Sequence, residues 1–381
     1  MTSTEPRTSV EAIDPAALKA NFAAVATHGD DVIMYFFSYL FLTHPEVRPM
    51  FPLSMTAQRD RLLGALIRIV TNVDRLVELE PFLADLGRDH RKFGALTDHY
   101  PAVGKALIAT LAHFSGPAWS QQLEANWAAA YGAVSAAMIR AADRAATAEP
   151  AWYEGEIVEV DRRSFDLAVL RVRTDEVLPY RAGQSVSLQA TELRPRIWRP
   201  FTPASRPGGH EFDLHVRAID GGTLSTALVR AARPGEPVRL GPPYGRLSLH
   251  RDAHRPLLMI AGGTGLAPMK AIVEQLAADG GRPAHLFHGV RTGRETYDRE
   301  WLAGAAAEHH QWLTVVVATS EDDRWAGPHG RVGDLAAAEA DWAGHDIYLC
   351  GSPEMVEGSM KALVASGVSE ERIVFEEFGK A

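Results

Sequence analysis

The stretch LLMIAGGTGLAPMKAIV, Leu257 to Val273, is an apolar run that passes into Gly262-Gly263-Thr264-Gly265 and then into a helical pattern with Pro268 near its start. Glycines let a backbone approach a ligand closely, and a helix start offers free N–H groups and the positive end of the helix dipole. That spacing suits a pyrophosphate, although a merely tight turn would read the same way. A second strand end, IYLCGSPEMV, sets Cys350 and Gly351 where open α/β sheets bind ligands, and Ser352-Pro353 at a helix start. Cys350 equally fits a small core residue. In RPFTPAS, Arg199 to Ser205, a guanidinium, a ring and a hydroxyl fall within four residues. Arg199 and Phe201 share a strand face and Thr202 turns away, a set that suits a flavin nucleotide: arginine for phosphate, ring for stacking, hydroxyl for a ring nitrogen. Arg199 by itself would pass for a solvated strand residue. GGTLSTALV, Gly221 to Val229, offers a second phosphate cradle. Finally, Leu83, Leu86, His90 and Phe93 recur at the spacing of one helix face, while Asp85, Arg88, Asp89, Arg91 and Lys92 occupy the other. An imidazole on an apolar face is either a core histidine or a metal ligand, and the spacing leaves both open.

Three kinds of region must position these residues. From 10 to about 145 the apolar period is near 3.6, with prolines at turns such as His44-Pro45 and Tyr100-Pro101, so the chain reads as successive helices. From Glu154 to about Leu249 the short alternating stretches GEIVEV, LAVLRVR, SVSLQA, FDLHVRAI and PVRL predict a small antiparallel barrel. From Pro256 onward the strands LLMIA, AHLFHGV, LTVVVAT, DIYLC and IVFEEF alternate with helical segments and predict a parallel α/β sheet. The boundaries fall at 1–148, 149–252 and 253–381. With 381 residues and 46% hydrophobic composition, there is enough chain for several cores. A net charge of -9 disfavours nucleic acid and anionic membrane as partners. One cysteine forbids an intramolecular disulfide and fits a reducing compartment. The opening MTSTEPRTSVEAID carries no secretion pattern, and VIMYFFSYLFL, Val32 to Leu42, is too short to span a bilayer and reads as a buried helix. We expect a cytoplasmic protein with no transmembrane segment and no obligate protein partner.

Taken in order, RPFTPAS, GGTLS, GGTGLAP, LCGSPEM and the terminal FEEFG resemble the motif set of the ferredoxin–NADP reductase-like flavoproteins. The resemblance implies that Arg199, Phe201 and Thr202 hold FAD, with Gly222, Thr223 and Ser225 near its phosphates. Gly263, Thr264, Gly265 and Gly351 would face the nicotinamide dinucleotide, and Cys350 would lie beside the nicotinamide. Phe378 would cover the flavin ring and Glu376 would be a polar partner near it. Where the family more often has tyrosine, this chain has Phe201.

A helical segment joined to such a reductase resembles the flavohaemoglobins over essentially the whole chain. The implied architecture is multidomain: an all-α globin, an antiparallel β-barrel FAD domain, then an α/β parallel-sheet NAD(P)-binding domain. The resemblance makes His90 the proximal ligand of haem b iron, puts the Tyr100 hydroxyl against that imidazole, and wedges Phe51 against the haem. Gln58 and Leu62, spaced i and i+4, would share the distal side. Two positions depart from the family: Phe37 stands where a distal tyrosine is usual, and Ala142 where a glutamate supports the proximal histidine, with Asp143 rotated away by about 100°. The implied function is electron transfer from NADH, with NADPH as the alternative donor, through FAD to haem. This would support oxygen-dependent conversion of nitric oxide to nitrate. Alternative readings keep the reductase but substitute a peroxide, quinone or hydroxy acid, or make the globin a redox or gas sensor. Arg291 and Arg294, in HGVRTGRE, would either bind a 2′-phosphate or be solvated.

Overall fold

The computed structural model describes residues 13–249 and 254–378, and the chain divides into two compact units between Ala151 and Trp152. The opening residues 1–12, the expected boundary at 252/253 and Gly379 of FEEFG lie outside the described residues.

The first unit contains α1 (Pro15–Ala26), α2 (Asp30–Thr43), α3 (Thr56–Thr71), α4 (Leu76–His90), α5 (Tyr100–Ser115) and α6 (Gln121–Ala148). Its helix starts follow capping chemistry: the Asp14 side chain accepts from the Ala17 N–H at 3.0 Å and Ser120 Oγ from the Leu123 N–H at 3.2 Å. Along α6 the buried residues Trp127, Ala130, Val134, Met138 and Ala141 form one stripe. Against it α4 buries Leu79, Leu83 and Gly87. A Cβ on Gly87 would lie 2.2 Å from the Met138 carbonyl oxygen, so α4 and α6 cross where only glycine fits.

Two expectations are corrected here. The stripe Leu83 to Phe93 is not one helix: α4 ends at His90, Arg91–Phe93 is a 3-10 turn, and Gly94 at φ 77 turns the chain away. The run Val32 to Leu42 is not buried throughout. In α2 the residues Ile33, Phe36, Phe37 and Leu40 face the core, whereas Leu42 is 83% exposed. A helix packed on one side buries one stripe however apolar the rest is.

The second unit begins with β1 (Tyr153–Arg162), β2 (Leu167–Thr174), β3 (Val186–Ala190), β4 (Arg199–Phe201), β5 (Glu211–Arg217), α7 (Thr223–Ala231) and β6 (Glu236–Leu240). These strands form an antiparallel sheet in the order β4-β3-β6-β1-β2-β5. A bridge between Pro203 and Leu214 brings its two edges together, so the barrel is nearly closed. Ile157, Leu170, Leu188, Leu214 and Val238 fill it.

Then come β7 (Leu257–Gly262), α8 (Leu266–Ala278), β8 (Ala284–Val290), α9 (Arg299–Glu308), β9 (Leu313–Thr319), α10 (Val332–Glu339), β10 (Asp346–Gly351), α11 (Pro353–Ala365) and β11 (Ile373–Glu377). This sheet has the order β11-β10-β7-β8-β9, with every described pairing parallel. Leu257 and Met259 enter one core cluster, Leu258 and Ile260 the other. Burial on both faces explains why these strands read as unbroken apolar runs. Strand order reverses between β7 and β10, and the glycine turn after β7 and the Gly351-Ser352 corner after β10 meet there. Ligands of open α/β sheets bind at such a switch point. Among the described residues no helix is long and apolar enough to cross a membrane.

Candidate functional site

A cavity of about 690 Å³ opens at the switch point, between the barrel and the parallel sheet. That volume is in the range of cofactor sites. From the barrel, Arg199, Phe201 and Thr202 line it, and Gly222 and Ser225 line it at the start of α7. From the sheet come Gly263, Thr264, Glu376 and Phe378. Residues separated by more than 170 positions are thus brought to one wall by the fold. The backbone N–H of Phe378 donates to the Gly351 carbonyl at 2.8 Å, which fixes the aromatic residue beside the corner after β10.

Four of the residues the resemblance assigned to this site do not line the cavity. Thr223 opens α7. A Cβ on Gly265 would come within 2.1 Å of the Cys350 carbonyl oxygen, so its task is close approach of the glycine turn to β10. Gly351 packs where β7 and β10 converge, its Cβ position 3.2 Å from Gly262. Cys350 is wholly buried, and burial, with Glu376 nearby, raises its thiol pKa well above the usual range.

The polar wall has an order. Glu376 sits opposite Cys350 in the parallel register. Ser185 Oγ donates to Glu376 Oε1 at 2.6 Å and lies 2.9 Å from Thr202 Oγ1. Because Ser185 spends its single proton on the carboxylate, Thr202 is the donor in the second bond, and its lone pairs stay available to a ligand. Burial raises the Glu376 pKa, against the lowering effect of the Ser185 hydrogen bond. Ser185, His215 and Arg217 were missed from sequence. Their one legible signal is the i, i+2 placement of His215 and Arg217 in FDLHVRAI, which puts two polar groups on one face of a strand.

This wall fits a flavin dinucleotide. Arg217 Nε is buried without a hydrogen-bond partner among the described residues, which suits an anion. The starts of α7 and α8, both at glycine, supply free N–H groups for phosphates. Farther along the cavity Arg291 is present, but its guanidinium is held 2.8 Å from Glu295, while Arg294 does not line the space.

In the first unit Phe37, Phe51 and Leu62 belong to one apolar cluster, and Gln58 is half-buried on the same helix as Leu62. His90 caps the carboxyl end of α4, its Nδ1 2.7 Å from the Leu86 carbonyl oxygen. With Nδ1–H donating there, the Nε2 lone pair is left for a metal. Burial lowers the His90 pKa, keeping the ring neutral. Among the described residues no cluster of three histidine, cysteine or carboxylate side chains could hold a metal. A single imidazole in an apolar setting therefore fits a metal that brings its other ligands with it, as a porphyrin iron does. No hydrogen bond joins Tyr100 to His90 among the described residues. The Tyr100 carbonyl accepts from the Tyr131 hydroxyl at 2.6 Å, and burial followed by the nearby Asp143 charge raises the Tyr100 pKa. Asp143 thus acts electrostatically on Tyr100, although Ala142 holds the aligned position.

Comparisons agree with this layout. The globin family model matches residues 35–138, the oxidoreductase FAD-binding domain 154–249, and the oxidoreductase NAD-binding domain 259–361. The flavohemoprotein of Pseudomonas aeruginosa is 27% identical, over 96% of this chain and 97% of its own. The ferredoxin–NAD(P)(+) reductase component of the naphthalene 1,2-dioxygenase system of Pseudomonas putida is 33% identical, over 59% of this chain and 68% of its own. Among solved structures, the flavohemoglobin of Malassezia yamatoensis with bound FAD and heme superposes with a TM-score of 0.78 at 20% identity, covering 96% and 98% of the two chains. Globin helices followed by an FAD-binding barrel and an NAD-binding sheet define a haem- and flavin-dependent oxidoreductase. The chain belongs to the flavohaemoglobin family.

Proposed function

We propose that this flavohaemoglobin is an NAD(P)H-dependent oxidoreductase that uses oxygen to convert nitric oxide to nitrate. Haem b would be held in 1–148, FAD in 149–252 and NAD(P)H in 253–381. The observation that carries the reading is the coexistence, on one chain, of a neutral imidazole with a free nitrogen in an apolar helical unit and a dinucleotide-sized cavity at a sheet switch point. Whole-chain likeness to flavohemoproteins supports this over a different acceptor or a sensor.

When bound, the cofactors supply hydride acceptance by FAD, one-electron passage to haem, and oxygen chemistry at iron. The chain's residues do the rest. Arg199 and Arg217, with the starts of α7 and α8, hold phosphates; Phe201 and Phe378 enclose the flavin ring. Thr202, Ser185 and Glu376 form a line along which a proton moves between the ring and a carboxyl group that readily takes one. His90 would hold the iron, the Leu86 carbonyl would fix its ring, with Asp89 and Lys92 the nearest charges, and Phe37, Phe51, Leu62 and Gln58 would shape the haem pocket. Nothing in this scheme requires nucleic acid or an obligate protein partner, and the lone buried cysteine suits the cytoplasm.

The test is spectroscopic. Purified protein should show haem and flavin absorption, anaerobic NADH should reduce both, and the aerobic reduced protein should consume nitric oxide with nitrate as product. His90→Ala should lose the haem band while NADH still bleaches the flavin. Haem reduction without faster nitric oxide loss would remove the dioxygenase claim.

A further inference from the structure

Between the barrel and the parallel sheet lies a series of buried rings that neither the phosphate cradle nor the hydroxyl line employs. His215 on β5 lines the cavity, two residues before Arg217 on the same strand face. Its Nδ1 is 2.7 Å from the hydroxyl of Tyr297, which lies in the segment before α9 on the sheet side of the seam. The two rings meet edge to face at 5.3 Å and 89°. Tyr297 meets His288 of β8 in the same way, at 6.4 Å and 88°. His288 Nε2 in turn lies 3.0 Å from the carbonyl oxygen of Gly263, the first residue of the turn that follows β7.

The direction of the first bond follows from counting partners. His215 Nε2 is buried and has no hydrogen-bond partner among the described residues. If the phenol donates to Nδ1, one ring N–H is left unsatisfied. If the imidazole donates instead, both the phenol proton and the Nε2 lone pair are stranded. Each stranded buried group costs about 1–3 kcal/mol, so Tyr297 donates and His215 is the neutral Nε2–H tautomer. Tyr297 is itself fixed from two sides. Its carbonyl accepts from Arg163 at 3.3 Å, and the adjacent Asp298 carboxylate is 3.1 Å from Lys270 Nζ on α8.

We propose that His215, Tyr297 and His288 form a positioning latch that sets the spacing of flavin and nicotinamide, and therefore the rate of hydride transfer. The inference rests on the flavin–nicotinamide reading of the cavity. One end of the latch is the strand that delivers Arg217 to the flavin side; the other is the turn at which the dinucleotide would sit. In the transfer the C–H bond of the dihydronicotinamide breaks and its electron pair goes with the hydrogen to FAD. NAD(P)H becomes NAD(P)+ and FAD takes up the hydride, so atoms and electrons balance without a further proton. Such a transfer needs reacting atoms about 3–3.5 Å apart, and a 1 Å misplacement costs on the order of 100-fold. Close-packed rings pass a displacement on rather than absorbing it.

Anaerobic rapid mixing of the holoprotein with saturating NADH tests this in wild type, Tyr297→Phe, His215→Leu and the double variant. In Tyr297→Phe, which keeps the ring, the limiting rate of flavin reduction should fall about tenfold. The NADH concentration for half-maximal rate and the FAD content should stay unchanged, while the melting temperature should fall by a few degrees because His215 Nδ1 loses its partner. The long-wavelength absorbance of NAD+ stacked on reduced flavin should weaken. The double variant should be no slower than the slower single one, because both remove the same bond. Reduction of Tyr297→Phe at the wild-type rate, or slowing only in proportion to lost FAD, overturns the latch and leaves the proposed function standing. A wild-type flavin that NADH does not reduce overturns both.

Discussion

Phe37 shows how one atom can set an activity. Its ring lies 5.7 Å from each of Phe41 and Phe51, 6% exposed, in the cluster that holds Leu62. In the proposed haem pocket it would therefore offer a bound ligand bulk and no hydrogen bond. A donor to a polarised ligand is worth roughly 1.5 kcal/mol, so Phe37→Tyr should slow oxygen escape from the reduced protein about tenfold, as read by flash photolysis. An unchanged rate would place residue 37 away from the ligand. A second prediction concerns the nucleotide. Arg291 is spoken for by Glu295, and Glu321 lines the same stretch of cavity, so a 2′-phosphate would meet carboxylates and an occupied guanidinium. NADH should be preferred. An exposed pair of this kind is worth about 1 kcal/mol at most, so Glu295→Gln should raise the ratio of NADPH to NADH kcat/KM by roughly fivefold.

At the scale of elements, the α4–α6 crossing sets where His90 stands. Gly87 sits three residues before His90, and a side chain there would press on the Met138 backbone, which has no rotamer to yield. Gly87→Val should cost about 1–3 kcal/mol from overpacking. Because α4 ends at His90, the shift should also loosen the iron ligand: thermal melts should drop and haem should pass faster to apomyoglobin. Gly132, in α6, has nothing within 4 Å of its Cβ position. Gly132→Ala should therefore stabilise the protein by about 0.5–1 kcal/mol through helix propensity. If both variants melt alike, helix crossing is not what that glycine serves.

For the whole molecule, the buried histidines make stability depend on pH. Burial drives His215 down to about 3 and His288 to about 4, from the ordinary 6.5, and both are neutral in the native state. Unfolding releases them to take up protons below pH 6.5, so the unfolded state binds more protons there. Their contribution is intact above 6.5 and is lost progressively as pH falls toward 4. Melting followed by release of flavin fluorescence should move steadily to lower temperature between pH 7 and 5. A flat profile over that window would mean the rings are hydrated in solution.

The sequence by itself determined the order of architectures, because hydrophobic period is local: 3.6 in the first unit, 2 in the barrel strands, unbroken apolar runs in the parallel sheet. It also determined the glycine turns at helix starts, such as those at Gly222 and Gly263, because these are short-range features. Tertiary structure decided which residues share a wall. Ser185, Thr202 and Glu376 come from three separate strand ends, and no spacing along the chain encodes their hydrogen bonds. His215 and Tyr297 lie 82 positions apart, and only the closing of the barrel on the sheet brings them together. The helix through Phe93 was overread for the same reason. Periodicity reports the face a segment can bury, whereas Gly94 and the packing of α4 on α6 decide where the helix stops.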